Sequence, residues 1–202
     1  MGTKSDVGAS QQGLTWDHTD CAGTVGCPAR CPRFVDKEGT PICITPGGEE
    51  EADALVDFYD EYPSRDRSMS LPPLTRPQIE SWVDRIIDRG KSILAYHDGE
   101  LVGHVAYLPA DKDEPELIVF VASEYQNRGL GTELCRQAMA HAAEDDHTAL
   151  TLHVDVDNQR ALAVYQSLGF VEVDRKDKRI EMRLALDDET VDEVQAPPAA
   201  RL

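Results

Sequence analysis

The sequence predicts a mixed α/β fold, a twisted central sheet of about six to seven strands flanked by about four helices. Three observations predict it. Short apolar runs alternate with amphipathic helical stretches over residues 41–186. Two of the runs, 92–96 (SILAY) and 101–108 (LVGHVAYL), are joined by His97-Asp98-Gly99-Glu100, and the Asp-Gly pair signals a tight antiparallel hairpin. A third run, 117–122, passes through a polar glycine loop directly into a helix.

Residues 1–40 read as a separate N-terminal segment, and the first fourteen, MGTKSDVGASQQGL, hold too little apolar material to order themselves. Cys21, Cys27, Cys31 and Cys43 follow, four of the five cysteines in 23 positions, with His18 just upstream. Clustered thiols in a cytoplasmic protein point to metal or redox chemistry rather than to a disulfide framework. Thiolates with a histidine suit a structural zinc. No C-x-x-C is present, so free thiols packing a small lid stand beside zinc as the other reading.

PICIT at 41–45 opens the sheet, and Pro46-Gly47-Gly48 breaks it. Leu55, Phe58, Tyr59 and Tyr62 fall at i, i+3, i+4 and i+7, one face of a helix. Residues 63–74 form a loop. Thr75 with Gln78 makes a capping box; Ile79, Trp82, Val83, Ile86 and Ile87 line a second helix, and Gly90 stops it. The hairpin comes next, then an acidic loop at 109–115 and the central strand. Beyond the glycine loop, Leu130, Leu134, Cys135, Ala138, Met139 and Ala142 share a helix face, which makes Cys135 a core residue rather than a nucleophile. Residues 149–154 (ALTLHV) form a strand. Asn158 caps a helix carrying Ala161, Val164, Tyr165 and Leu168, Gly169 ends it, and strands at 170–173 and 179–186 complete the sheet. Residues 187–202, acidic and proline-containing, read as a disordered tail.

Thirty-eight acidic residues against 20 basic ones give a net charge of −18. Such a surface repels nucleic acid and anionic membranes, and both are excluded as partners. The excess runs along the whole chain, with six lysines against fourteen arginines, and resembles the halophilic composition of proteins from salt-loving organisms. No apolar run approaches the ~18 residues of a membrane span. Residues 1–20 lack a signal-peptide core, so the expected location is cytoplasmic.

The chemistry concentrates at Gln126-Asn127-Arg128-Gly129-Leu130-Gly131, followed by Thr132. A helix that starts here presents first-turn N–H groups without intrahelical partners, at the positive end of its dipole. That suits a phosphate or pyrophosphate, and the glycines let a ligand approach the backbone. Q-x-x-G-x-G after an apolar strand resembles the acetyl-CoA loop of the GNAT superfamily of N-acetyltransferases. A second pattern follows in the right order: strand 149–154, then N-x-x-A-x-x-x-Y from Asn158 to Tyr165, then Leu168-Gly169-Phe170. Together they identify residues 41–186 as similar to a GNAT domain, leaving out the cysteine segment (1–40) and the tail (187–202).

The resemblance implies a sheet splayed between its two central strands. A pantetheine arm would lie in the slot against backbone groups of Val119, Phe120 and Val121. The pyrophosphate would sit on residues 126–132, with Arg128 adding charge and Asn158 reaching the cofactor. Tyr165 resembles the family's general acid, protonating the departing thiolate. Glu116 is the first candidate base, Glu114 and Glu124 the weaker ones, and the Val121 N–H would stabilise the thioester oxygen. The implied activity is direct acetyl transfer from acetyl-CoA to a primary amine of a protein or small molecule, in a ternary complex. Tyr59, Tyr62, Trp82 and the loop 111–116 are placed at the acceptor pocket. The alternative is a catalytically inactive CoA-binding or zinc-stabilised regulatory module. A homodimer, common in the family, stays open.

Overall fold

The computed structural model describes residues 18–63 and 71–201. The stretch 1–14, expected to lack structure, lies outside the described residues, as do 64–70 of the expected loop and the side chain of His18. The elements in order are β1 (Arg33–Val35), β2 (Pro41–Gly47), α1 (Ala52–Asp60), α2 (Arg76–Arg89), β3 (Lys91–His97), β4 (Glu100–Leu108), β5 (Glu116–Val121), α3 (Leu130–Glu144), β6 (Ala149–Asp155), α4 (Gln159–Ser167), β7 (Val171–Lys176), β8 (Arg179–Ala185) and α5 (Asp188–Gln195). One sheet takes all eight strands in the order β1-β2-β3-β4-β5-β6-β8-β7.

The β3–β4 turn has φ of 49° at Asp98 and 84° at Gly99, two left-handed residues in succession, the geometry that matches strand twist in a two-residue hairpin. Every pairing is antiparallel except β5 with β6. That exception positions the site. β5 pairs with β4 along its whole length, from Glu116↔Leu108 to Val121↔Gly103. With β6 it shares one rung, Glu116↔Thr151. Past that rung the two strands part.

Side-chain alternation along β5 divides the core. Leu117 and Val121 face α3 with Leu130, Leu134, Ala138 and Met139. Ile118 and Phe120 face α1 and α2 with Leu55, Tyr59, Ile79, Trp82 and Ile86. The stripe anticipated for α3 is buried throughout; on α1 and α2 Leu55, Tyr59, Ile79, Trp82, Val83 and Ile86 are buried, Phe58 and Ile87 are half-buried, and Tyr62 lies just past the end of α1. Cys135 is fully buried, and burial pushes its thiol up to about 12, which suits a packing residue and not a nucleophile.

Several features depart from expectation. The sheet has eight strands and the described chain five α-helices. β1 is three residues long, too short for any periodicity, and exists through its pairing with β2. The expected disordered tail contains α5. Asp187 caps it by accepting from the Thr190 N–H at 2.9 Å, its first turn is acidic, and Val194 is buried against the core. At α2 the capping box does not close, because the Thr75 hydroxyl donates to Gln78 Oε1 at 2.9 Å instead of bonding backbone.

The N-terminal segment is fastened to the domain. Ala29 and Phe34 pack on the α3-side core. Arg30 is buried, donates to both carboxylate oxygens of Glu133 on α3 at 2.7 and 2.8 Å, and donates to the Val194 carbonyl of α5. The Ala199 N–H donates to the Cys21 carbonyl at 3.1 Å.

Candidate active site

Where β5 and β6 diverge they leave a cavity of about 460 Å³. Its closed end is the Glu116 rung, where the Thr151 N–H donates to the Pro115 carbonyl at 3.0 Å. The Ala122 N–H donates to Val102 on β4 at 2.9 Å. Backbone groups alternate sides along an antiparallel strand, so Phe120 points its own N–H and C=O at β4, while Val119 and Val121 point theirs into the slot. Of the three residues expected to offer backbone, Phe120 therefore contributes its ring to the wall and not its peptide groups. The Val121 carbonyl accepts from the Tyr62 hydroxyl at 3.2 Å and from Gln126 Nε2 at 3.0 Å. Of the three aromatics expected at an acceptor pocket, Tyr62 lines the slot, whereas Tyr59 and Trp82 are buried in the core that α1 and α2 form against the sheet.

The mouth of the slot is the glycine loop. Asn127 and Gly129 are left-handed, with φ of 63° and 93°, and they swing the chain from β5 into α3. Gly129 stands at the N-cap without a side chain, so nothing from that position covers the first-turn N–H groups. A Cβ at Gly131 would meet only Val121 Cγ2, at 3.7 Å, and the approach to that backbone is open. Gln126, Asn127, Gly129, Gly131 and Thr132 all line the slot. Leu130 does not; its side chain anchors the loop in the core.

Arg128 also departs from expectation. Its guanidinium turns away to Glu38 at 2.9 Å and Asp36 at 3.5 Å and stacks 5.0 Å from the Tyr125 ring centroid. Two cations that sequence reasoning missed face the slot instead. Arg160 on α4 donates to Gln126 Oε1 at 2.7 Å and Asn127 Oδ1 at 3.4 Å, and Lys37 reaches in from the β1–β2 turn. Arg160 carried a signal, since it lies in the first turn of the helix that Asn158 caps. Asn158 caps α4 as expected, its Oδ1 accepting from the Ala161 N–H at 3.1 Å, and its side chain lines the cavity.

On the α4 wall, Tyr165 packs its ring against Phe170 at 5.8 Å. Burial, then the neighbouring Cys135 and Tyr62, push its phenol well above the ordinary tyrosine range, so it is protonated at neutral pH. No described residue accepts that proton. At the closed end the Glu116 carboxylate bonds His153 Nδ1 at 2.8 Å, and Glu181 lies 3.8 Å from the other ring nitrogen. Glu116 and His153 both line the cavity. Glu114 is committed elsewhere: paired with Arg183 at 2.7 and 3.0 Å, its carboxyl is held below its usual range by that bond. Glu124 sits in the turn before the loop and does not line the slot.

A model of the Acetyltransferase (GNAT) family matches residues 52–170, more than half of the chain. The chain belongs to the GNAT family. Among curated relatives it is similar to the mycothiol acetyltransferases of Paenarthrobacter aurescens, 31% identical over 139 residues, and Acidimicrobium ferrooxidans, 30% identical over 164 residues. The matches cover 65% and 78% of this chain but 42% and 49% of those relatives, so the chain spans about half their length or less. Among solved structures it resembles the GNAT domain of S. lividans PAT, with a TM-score of 0.67 at 20% identity, covering 76% of this chain and 95% of that one. It also resembles yncA from Salmonella typhimurium, solved with its cofactor acetyl-CoA, with a TM-score of 0.58 at 15% identity over 73% and 95% of the two chains.

The zinc reading finds no support in the geometry of the described residues. Among the described residues no three His, Cys, Asp or Glu side chains converge on a point that could hold a metal. Cys27 is engaged in its own turn, where Thr24 N–H donates to its sulfur at 3.3 Å, and Cys43 projects from the exposed side of β2. Closeness in sequence was spent on a turn and a strand that point different ways. The zinc-stabilised alternative for this GNAT chain loses its ligand set with it.

Proposed function

We propose that the chain is an acetyl-CoA-dependent N-acetyltransferase that moves an acetyl group directly to a primary amine in a ternary complex. The observation that carries this reading is the slot itself. One wall offers the edge of β5 beyond its single rung with β6, the other offers the protonated phenol of Tyr165, and the mouth is the bare start of α3. A pantetheine arm fits the edge as an added strand through Val119 and Val121. The first-turn N–H groups of α3, from Gly129 to Thr132, suit the pyrophosphate.

Each chemical step then has a group. Glu116, bonded to His153, takes a proton from the acceptor ammonium directly or through water, which frees the nitrogen lone pair. That nitrogen attacks the thioester carbon while a backbone N–H of the β5 edge donates to the carbonyl oxygen as charge builds on it. The C–S bond breaks, and Tyr165 delivers its proton to the leaving sulfur. No covalent enzyme intermediate is needed. The acceptor is a primary amine of a small molecule or of a protein.

The test is turnover. Acetyl-CoA is offered with a panel of primary amines, mycothiol-related amines and peptides with free N-termini among them, while thiol release and the acetylated product are measured together. Amine-dependent thiol release with a matching product mass supports the reading. Acetyl-CoA that binds but is never turned over by any amine favours a CoA-binding module.

A further inference from the structure

We infer that the N-terminal segment completes the cofactor site: Lys37 is a phosphate-binding residue, and Arg128 is the positioning residue that holds it there. The inference rests on acetyl-CoA as the donor. It begins with the turn between β1 and β2, which lies outside the stretch 52–170 that matches the family. Asp36 builds this turn. Its Oδ1 accepts from the N–H groups of Glu38 and Thr40, both at 2.9 Å, and Gly39 closes it with a φ of 86°.

The turn docks on the glycine loop. The Lys37 N–H donates to the Arg128 carbonyl at 3.0 Å, and a Cβ at Gly129 would lie 3.7 Å from Lys37 Cε and 3.6 Å from Phe34 Cζ. Arg128 grips the same turn through its guanidinium, on Glu38 and on Asp36. The Asp36 side chain is fully buried and its Oδ2 accepts no hydrogen bond, so the Arg128 charge offsets a carboxylate that would otherwise be stranded. Lys37 is left lining the slot beside the first-turn N–H groups of α3, with no carboxylate partner among the described residues.

The charge balance gives this a purpose. Acetyl-CoA is a polyanion, and the chain carries a net −18. Long-range repulsion has to be offset where the phosphates sit, and Lys37 beside Gly129 and Arg160 beside Gln126 both line that part of the slot. A cation supplied by an appendage in place of the loop's own arginine also means that undocking the appendage weakens the cofactor site.

The experiment measures acetyl-CoA affinity by calorimetry, and the preference in kcat/KM for acetyl-CoA over S-acetylpantetheine, which has no phosphates. Lys37→Ala should weaken acetyl-CoA binding about tenfold and shrink the preference by a similar factor. Lys37→Arg should restore most of both. In a double-mutant cycle, Arg128→Ala with Lys37→Ala should lose little more than Arg128→Ala alone. Additive losses would make Arg128 a direct contact and overturn its positioning role. Unchanged affinity in Lys37→Ala, or an equal loss for both donors, would overturn the role of Lys37. A wild-type protein that binds no acetyl-CoA defeats the donor assignment itself, which these variants do not touch.

Discussion

In the proposed mechanism the Tyr165 phenol supplies the proton that the leaving sulfur takes. Burial keeps it protonated, and no described residue competes for its proton. Tyr165→Phe keeps the ring against Phe170, so acetyl-CoA binding should barely change while the single-turnover rate falls ~10²–10⁴-fold. A near-normal single-turnover rate would make Tyr165 a packing residue. His104 gives a second test at this scale, on stability. It is wholly buried on β4 with Nδ1 bonded to the Tyr59 hydroxyl, and burial lowers it from 6.5 to about 3. The folded state therefore keeps it neutral where the unfolded chain protonates it. Its contribution is complete above pH 6.5 and is lost on acidification towards pH 3, by about 1.4 kcal/mol per pH unit. Denaturant melts of wild type and His104→Leu across that window should differ in slope by close to one proton.

At the scale of elements, the slot exists because β5 and β6 share one rung and then separate, and because α3 begins where they separate. Much of this was legible in the sequence. The i, i+3, i+4 stripes of α1, α2 and α3, the Asp-Gly hairpin, the glycine loop and Asn158 as a cap are local patterns, and local patterns survive folding. What was missed depends on contacts between distant segments. β1 is defined by its partner strand. α5 is acidic and short, and its order comes from Asp187 and from Val194 meeting the core. Arg128 sits in the motif, but its direction is decided by Asp36 and Glu38 some ninety residues earlier, and Lys37 and His153 reach the slot only through the sheet. The dependence of α5 on its cap is measurable. A backbone bond to Thr190 holds the Asp187 carboxyl below its usual range. This stability is present above the unfolded carboxylate value and is lost as pH falls through the lower folded one. Hydrogen-exchange protection of α5, relative to the intrinsic rate at each pH, should therefore fall in acid before that of α3, and a uniform loss of protection would count against the cap.

For the molecule as a whole, Arg30 fastens the N-terminal segment over α3, pairing with the buried Glu133 and donating to the Val194 carbonyl of α5. Arg30→Met leaves Glu133 charged, buried and unpaired, and should cost about 3–5 kcal/mol of unfolding free energy. Replacing both residues by apolar ones should cost much less, and equal losses would mean that packing rather than charge holds the ends. If acetyl-CoA lies between β5 and β6 with its pyrophosphate on the start of α3, Gly131→Asp should abolish its binding. Gly131 is not left-handed and a Cβ there has room, so the fold should persist. The added carboxylate would occupy the phosphate position and repel its charge. Calorimetric titration with acetyl-CoA should show clear binding to wild type and none to Gly131→Asp, with the two proteins unfolding at similar denaturant concentrations. Undiminished affinity in Gly131→Asp would contradict this placement.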